Sequence, residues 1–348
     1  MNKKLIVTAM TLALASAVGV ANADVKLYGQ VDLSLNRDDP ARGAGGDDDI
    51  NMDSNQSAVG VKGSEDLGNG LSAFFKLEFQ TEVNEADGWT GRDQYVGMEM
   101  ERFGKLTFGT MSTAYKSPGS KIDVGYRTSL QSRVLGLQSA LHRGKGENGQ
   151  GRSINTIRYD SPSWAGFKLV GTYNFDEAKD DGNDDDTYSL GAEYKGGNFY
   201  AAASYIDTQA SDPSDTAAAQ FLAKYTWNNL QLHGIYELDK GLITASRSAG
   251  LNDAPGGADD DGADIWSVGA AYTIGNNVLF ADYGQGDDSD GVDGTSNTGD
   301  DVDDYDVWRL GAMHKMSKRT MVYAGYGNNN ADDRDDIKRY TLGVRHAF

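Results

Sequence analysis

No cysteine occurs in the 348 residues. Disulfide frameworks, zinc–thiolate sites and thiol nucleophiles are therefore excluded. Basic residues are scarce: 32 Lys and Arg stand against 52 Asp and Glu, for a net charge of −20. Phosphate affinity needs a basic surface, so the balance argues against a nucleic-acid partner. After the first residues, no apolar run approaches the ~20 residues that a membrane helix needs. Only four histidines occur (His142, His233, His314, His346), none at metal-ligand spacing and none in a trustworthy Ser/His/Asp order. Nothing in the chain points to an enzyme, and no organic cofactor is implied.

The first residues are the exception to the missing apolar runs. Lys3 and Lys4 precede "LIVTAMTLALASAVGV", and Ala21-Asn22-Ala23 is a small-x-small cleavage site. This is the pattern of a secretory leader over 1–23, with a mature domain over 24–348. Loss of Lys3 and Lys4 takes the charge from −20 to −22. A mean hydropathy of −0.55 suits a soluble protein. It suits a membrane β-barrel equally, because only alternate residues of its strands face lipid.

What is abundant is glycine and aromatics: 44 Gly, 18 Tyr and 11 Phe. From residue 25 one unit recurs, an alternating stretch of ~10 residues followed by a connection. Sixteen such stretches are predicted, including 25–36, 56–64, 92–101, 277–286 and 337–348. The connections themselves alternate. Short turns such as "DLGNG", "KGGN" and "IGNN" lie between long segments rich in Asp, such as 240–263 and 287–304. An even count with both termini at the short-turn end lets the first and last strands pair and close the sheet. Closure removes the edges, which a membrane demands. One strand face is apolar, as in Leu71, Ala73, Phe75, Leu77 and Phe79, with aromatics frequent at strand ends. Lipid outside and water inside explain that placement. The predicted fold class is all-β, a sixteen-stranded antiparallel transmembrane barrel, wide enough for an aqueous lumen.

One long connection, 113–152, is poor in Asp and carries Ile122, Val124, Leu130, Leu135, Leu137 and Leu141. It is also basic. Such a loop is expected to fold into the lumen and pack on the wall. Parity points Lys26, Lys62, Lys76, Lys105, Arg158, Arg309 and Arg345 inward, together with Asp32, Glu78, Asp93 and Glu99. The expected constriction is a basic wall of Lys26, Lys62, Lys76 and Arg158. It faces a loop bearing Lys121, Asp123, Arg127, Arg133 and Glu147, with Asp123 and Glu147 as its acids. Charge at the narrowest section decides selectivity.

The runs "GGDDDINMD" and "GDDSDGVDGTSNTGDDVDD" have two readings. One is a solvated acidic mouth. The other is a Ca²⁺ or Mg²⁺ site, with Asp288, Asp290 and Asp293 as weak candidates, lacking the closing Glu of an EF-hand. Divalent ions there could also bridge to lipopolysaccharide phosphates.

"KLYGQVDLSL", "SAVGVKGSEDLGNGLSAFFKLE", "RDQYVGMEMERFGKLTFGT", "INTIRYDSPSWAGFKLVGTY" and the terminal "LGVRHAF" occur in that order. In these motifs the chain resembles the general porins of Gram-negative outer membranes, beta- and gammaproteobacterial type, over essentially the whole mature length. The resemblance implies a homotrimer of barrels for ion transport and diffusion of small hydrophilic solutes, each narrowed by its third outer loop. It implies too that the terminal Phe348 is an assembly signal read by the barrel assembly machinery. Thr110 and Ala58 stand where the family often has Arg, which weakens any borrowed charge selectivity. Two other functions compete: a substrate-selective channel, for which only scattered Tyr28, Tyr95 and Tyr200 speak, and a surface barrel whose acidic loops bind cations or a partner.

Overall fold

The computed structural model describes residues 23–39, 49–85, 88–144, 151–175, 186–208, 217–248, 262–289, 304–331 and 334–348. The leader expected over 1–23 lies, save for Ala23, outside the described residues, as do the centres of most aspartate-rich connections. Seventeen strand segments, β1 to β17 in chain order, form one antiparallel sheet. β1 (Ala23–Asp39) pairs on one side with β17 (Arg334–Ala347), from Gln30↔Ala347 to Asp39↔Lys338. On its other side it pairs with both β2 (Asp49–Ser54) and β3 (Ala58–Gly68). The sheet is thus closed. β2 and β3 lie end to end along β1 as one rung, so the described barrel has sixteen rungs.

Turn chemistry sets this meander. Between β3 and β4 (Leu71–Thr81), Gly68, Asn69 and Gly70 all take positive φ (82°, 54°, 75°), which Gly and Asn tolerate. The sequence pattern placed a single strand at 56–64. Instead pairing runs to Gly68 and resumes above a break. Asn55, Gln56 and Ser57 stand opposite Val31 and Asp32 only, since Leu33 pairs Ser54 and Gln30 pairs Ala58. The extra residue forces Gln56 to φ 59° and turns Asn55 inward, where its amide donates to Asp32 Oδ1 at 2.9 Å.

A second irregularity lies between β4 and β5 (Trp89–Met100). Leu77 pairs Gln94 and Phe79 pairs Gly91, so Glu78 faces both Arg92 and Asp93. Beyond these bulges the alternation holds. Leu27, Leu169, Phe221, Leu310 and Leu342 are exposed on the lipid side. An aromatic belt crosses neighbouring strands at one end of the barrel: Trp266 and Tyr283 are 5.7 Å apart, Trp308 and Tyr326 4.9 Å, Tyr326 and Tyr340 4.7 Å. Phe167, Tyr194 and Phe199 stack at the other end. Both belts fit membrane interfaces.

The buried apolar clusters lie inside the barrel. The loop after β6 (Gly104–Ser112) enters the lumen with a helix at Lys116–Ile122, a turn of helix at Ser132–Leu135 and a 3₁₀ turn at Ala140–His142. Leu130, Leu135 and Leu137 pack on Phe280, Tyr305, Val307 and Met313. Ile122 packs on Tyr200, Leu222 and Ile235. Tyr115 and Leu141 pack on Ile206 and on Leu242 and Ile243 of a helix at Leu242–Ser248. Gly327 makes room for this docking: a Cβ there would stand 2.8 Å from Leu135 Cδ1.

Candidate functional site: the lumenal constriction

Lys26, Lys62 and Lys76 form a row, because Lys26 pairs with Lys62 and Lys62 with Lys76 across β1, β3 and β4. The row continues to Tyr95. Lys62 Nζ lies 4.9 Å from the centre of the Tyr28 ring. Lys76 Nζ is 2.6 Å from Asp93 Oδ2 and 3.2 Å from Glu78 Oε2. Lys26, exposed toward the short-turn end, pairs at 2.8 Å with Asp24. Arg158 stands apart from the row. It grips Asp160 with two nitrogens (2.7 and 3.0 Å) and donates to the Ser112 carbonyl and Ser117 Oγ at the root of the loop. Lys168 joins Asp160 at 2.6 Å.

The loop residues divide. Arg127, held at φ 64°, reaches across to Glu78 Oε1 at 3.2 Å. That contact and the Gln131–Gln56 bond of 2.7 Å carry the loop tip to β3 and β4. Arg345 on β17 donates to the Arg127 carbonyl from below and holds Asp32 at 2.6 Å. Arg133 is buried; it donates to the His142 carbonyl at 2.7 Å and lies 5.3 Å from the Tyr126 ring. Lys121 pairs with Glu193 on β9 (Tyr188–Gly196).

Asp123 does not face the lysine row. It is buried against Arg309 (3.0 Å) and accepts the backbone N–H groups of Gly125 and Ser132 at 3.0 and 2.9 Å. Arg309 also holds Asp282 at 2.8 Å, and Asp282 holds His233 at 2.6 Å. That carboxylate therefore anchors the loop. Glu147 lies outside the described residues, as do Asp290 and Asp293; Asp288 is exposed. The acids opposite the lysines come from the wall, Glu78 and Asp93.

A second anchor lies at Glu237 of β12 (Leu230–Lys240). Its carboxylate accepts Tyr115 Oη at 2.8 Å, Ser139 N at 2.9 Å and Ser139 Oγ at 2.5 Å, with His142 Nε2 3.2 Å away. Burial, then the Glu237 charge, raise the pKa of the Tyr115 hydroxyl far above its ordinary range, so it stays a donor.

Two cations escaped the parity reading. Arg92 is 1% exposed and donates to Glu78 at 2.7 Å and Gln80 at 2.6 Å. Arg152, at the head of β7 (Arg152–Asp160), donates to Asp93 at 2.8 Å. Counting alternate residues from Asp93 turns Arg92 to lipid; the bulge opposite Glu78 turns it inward. The signal was available, since an arginine in mid-strand facing hydrocarbon is costly. Among the described residues the narrow zone thus brings together Lys76, Arg92, Arg127 and Arg152 against Glu78 and Asp93.

Comparison with known proteins agrees with this architecture. The family model described as Gram-negative porin matches residues 9–334. The major outer membrane protein P.IB of Neisseria sicca is 27% identical over 97% of this chain and 99% of its own. An outer membrane porin protein of Bordetella pertussis is 27% identical over 99% of this chain and 100% of its own. Among solved structures, the anion-selective porin from Comamonas acidovorans superposes with a TM-score of 0.75 at 20% identity, covering 94% of this chain and 100% of that one. OmpF of Salmonella typhi gives 0.69 at 16% identity, covering 93% and 97%.

Proposed function

Since the chain belongs to the Gram-negative porin family, an outer-membrane barrel for diffusion of solutes, we propose that its constriction passes small hydrophilic anions in preference to cations. The observation that carries this is the excess of four cations over two carboxylates in the narrow zone, with Lys62 beside it. In a confined, partly desolvated section such an excess acts directly on the permeating ion. The Comamonas structure, described as an anion-selective porin, has the same fold and supports the reading. The reversal potential across a KCl gradient tests it. A potential of the chloride sign is expected, and one of the potassium sign contradicts the proposal.

The other assignments belong to the same proposal. The 1–23 segment is a cleaved leader, which intact-mass measurement of the purified barrel checks. The working unit is a homotrimer, as in the trimer form of one solved Vibrio cholerae OmpT; a monomer by light scattering would contradict that. Lipopolysaccharide is the outer-leaflet partner, with Ca²⁺ or Mg²⁺ bridging its phosphates to the acidic connections. Binding unaffected by a chelator would end the bridging role.

A further inference from the structure

Below the inward loop, on the wall across the lumen from the basic row, two lysines close on one tyrosine and a third stands opposite it in register. In the register of β9, β10 (Phe199–Asp207) and β11 (Ala217–Trp227), Lys195 stands opposite Tyr200 and Tyr200 opposite Lys224. All three side chains point into the lumen near the short-turn end. The loop adds Lys121 from above. Lys121 Nζ lies 5.4 Å from the centre of the Tyr200 ring and Lys224 Nζ 5.9 Å from it. Lys224 also donates to the Lys121 carbonyl.

One carboxylate serves this group. Glu193 takes Lys121 and the Tyr200 hydroxyl, the latter at 3.1 Å. Other acids on the neighbouring strands are already held: Asp160 by Arg158 and Lys168, and Asp282, which bonds His233 opposite Lys224, by Arg309. Among the described residues, no carboxylate is paired with Lys195 or Lys224. Like charges gathered this closely repel one another, and folding alone gives no return for it. An anion between them removes the repulsion. Three ammonium groups of different elements match an oxyanion with several acceptor oxygens and more than one charge, better than they match chloride.

We propose that Lys121, Lys195 and Lys224 form a station for a free divalent oxyanion, of which inorganic phosphate is the representative, on the periplasmic side of the constriction. This rests on the reading of the chain as a conducting pore. The station lies beyond the narrow zone, so a phosphate ion resting there occupies the exit of the path without touching Arg92 or Lys76.

Chloride current through the reconstituted wild-type barrel, with phosphate added to one side at constant ionic strength, tests the station. Saturable reduction of the current is expected when phosphate enters from the short-turn face. Loss of one charge-assisted contact is expected to raise the half-blocking concentration by about tenfold in Lys195→Gln and in Lys224→Gln. Absence of block in the wild type, or equal block from both faces, overturns the station, and so does block unchanged in both variants. The sidedness arm needs no variant. A channel selective for potassium yet blocked by phosphate would end the anion-preference reading and keep the station. An anion-selective channel without block does the reverse.

Discussion

Arg92 is the residue on which strict alternation and the observed register disagree most sharply. If it faced hydrocarbon, replacing it with a neutral residue would stabilise the barrel by about 2–4 kcal/mol. Facing the lumen, it holds Glu78 and Gln80 in a nearly closed site. Arg92→Gln is then expected to destabilise by about 2–4 kcal/mol, the range for breaking charged hydrogen bonds and buried pairs. Glu78 keeps Lys76 and Arg127, which holds the loss within that range. Guanidinium unfolding in detergent decides by sign alone, a gain in stability being the contrary result. At this scale the lysine row was legible, because Lys26, Lys62 and Lys76 lie on uninterrupted alternation. Arg92 was not, because one bulged residue inverts parity without altering composition. The role of Asp123 was hidden for a different reason: its partner Arg309 lies 186 positions away, on β15 (Tyr305–Lys315).

The inward loop is the element that turns a wide barrel into a filter. Its entry into the lumen was legible from Ile122, Leu130, Leu135 and Leu137, which water would not retain in an exposed loop. Its path was not, because the path depends on what the wall leaves open. Gly325 and Gly327 on β16 (Thr320–Ala331) leave the space that Leu130 and Leu135 enter. A glycine in a strand reads only as a weak point until its neighbour is known. Gly327→Leu is expected to cost about 1–3 kcal/mol as overpacking and to lift the loop from its seat. Trypsin applied to the wild-type barrel should spare Lys121, Arg127 and Arg133, whereas the variant should be cut there and conduct more. Rapid cutting of the wild type at these sites would place the loop outside the lumen.

For the whole molecule, closure is the governing fact, and it was legible in the even strand count and the alternating last ten residues. The last residue completes the seam: Phe348 N donates to the Gly29 carbonyl at 3.0 Å and Gly29 N to the Phe348 carbonyl at 3.2 Å. The Phe348 ring covers Gly29, whose missing Cβ would stand 2.4 Å from the ring. Burying such a ring is worth ~1.5–3 kcal/mol, little for a barrel of this size. Deleting Phe348 is therefore expected to leave detergent-refolded protein stable; on the proposal that it is an assembly signal, the deletion sharply lowers insertion in cells. Normal insertion in cells would contradict the expectation that Phe348 is an assembly signal. Charge over the whole molecule has two tiers: the sequence is acidic as a whole, net −20, with its Asp runs in the long connections expected at the mouth, and the narrow zone is basic. The two act over different distances, since the screening length is ~30 Å at 0.01 M salt and ~10 Å at 0.1 M. Distant mouth charges fade as salt rises, while the close charges of Lys76, Arg92, Arg127 and Arg152 persist. The most direct measurement is the reversal potential at a fixed KCl ratio, repeated from about 0.01 M to about 1 M. The selectivity should move toward chloride as ionic strength rises; a potassium preference that persists at the highest salt would contradict the account and give control of the pore to Glu78, Asp93 and the other lumenal acids.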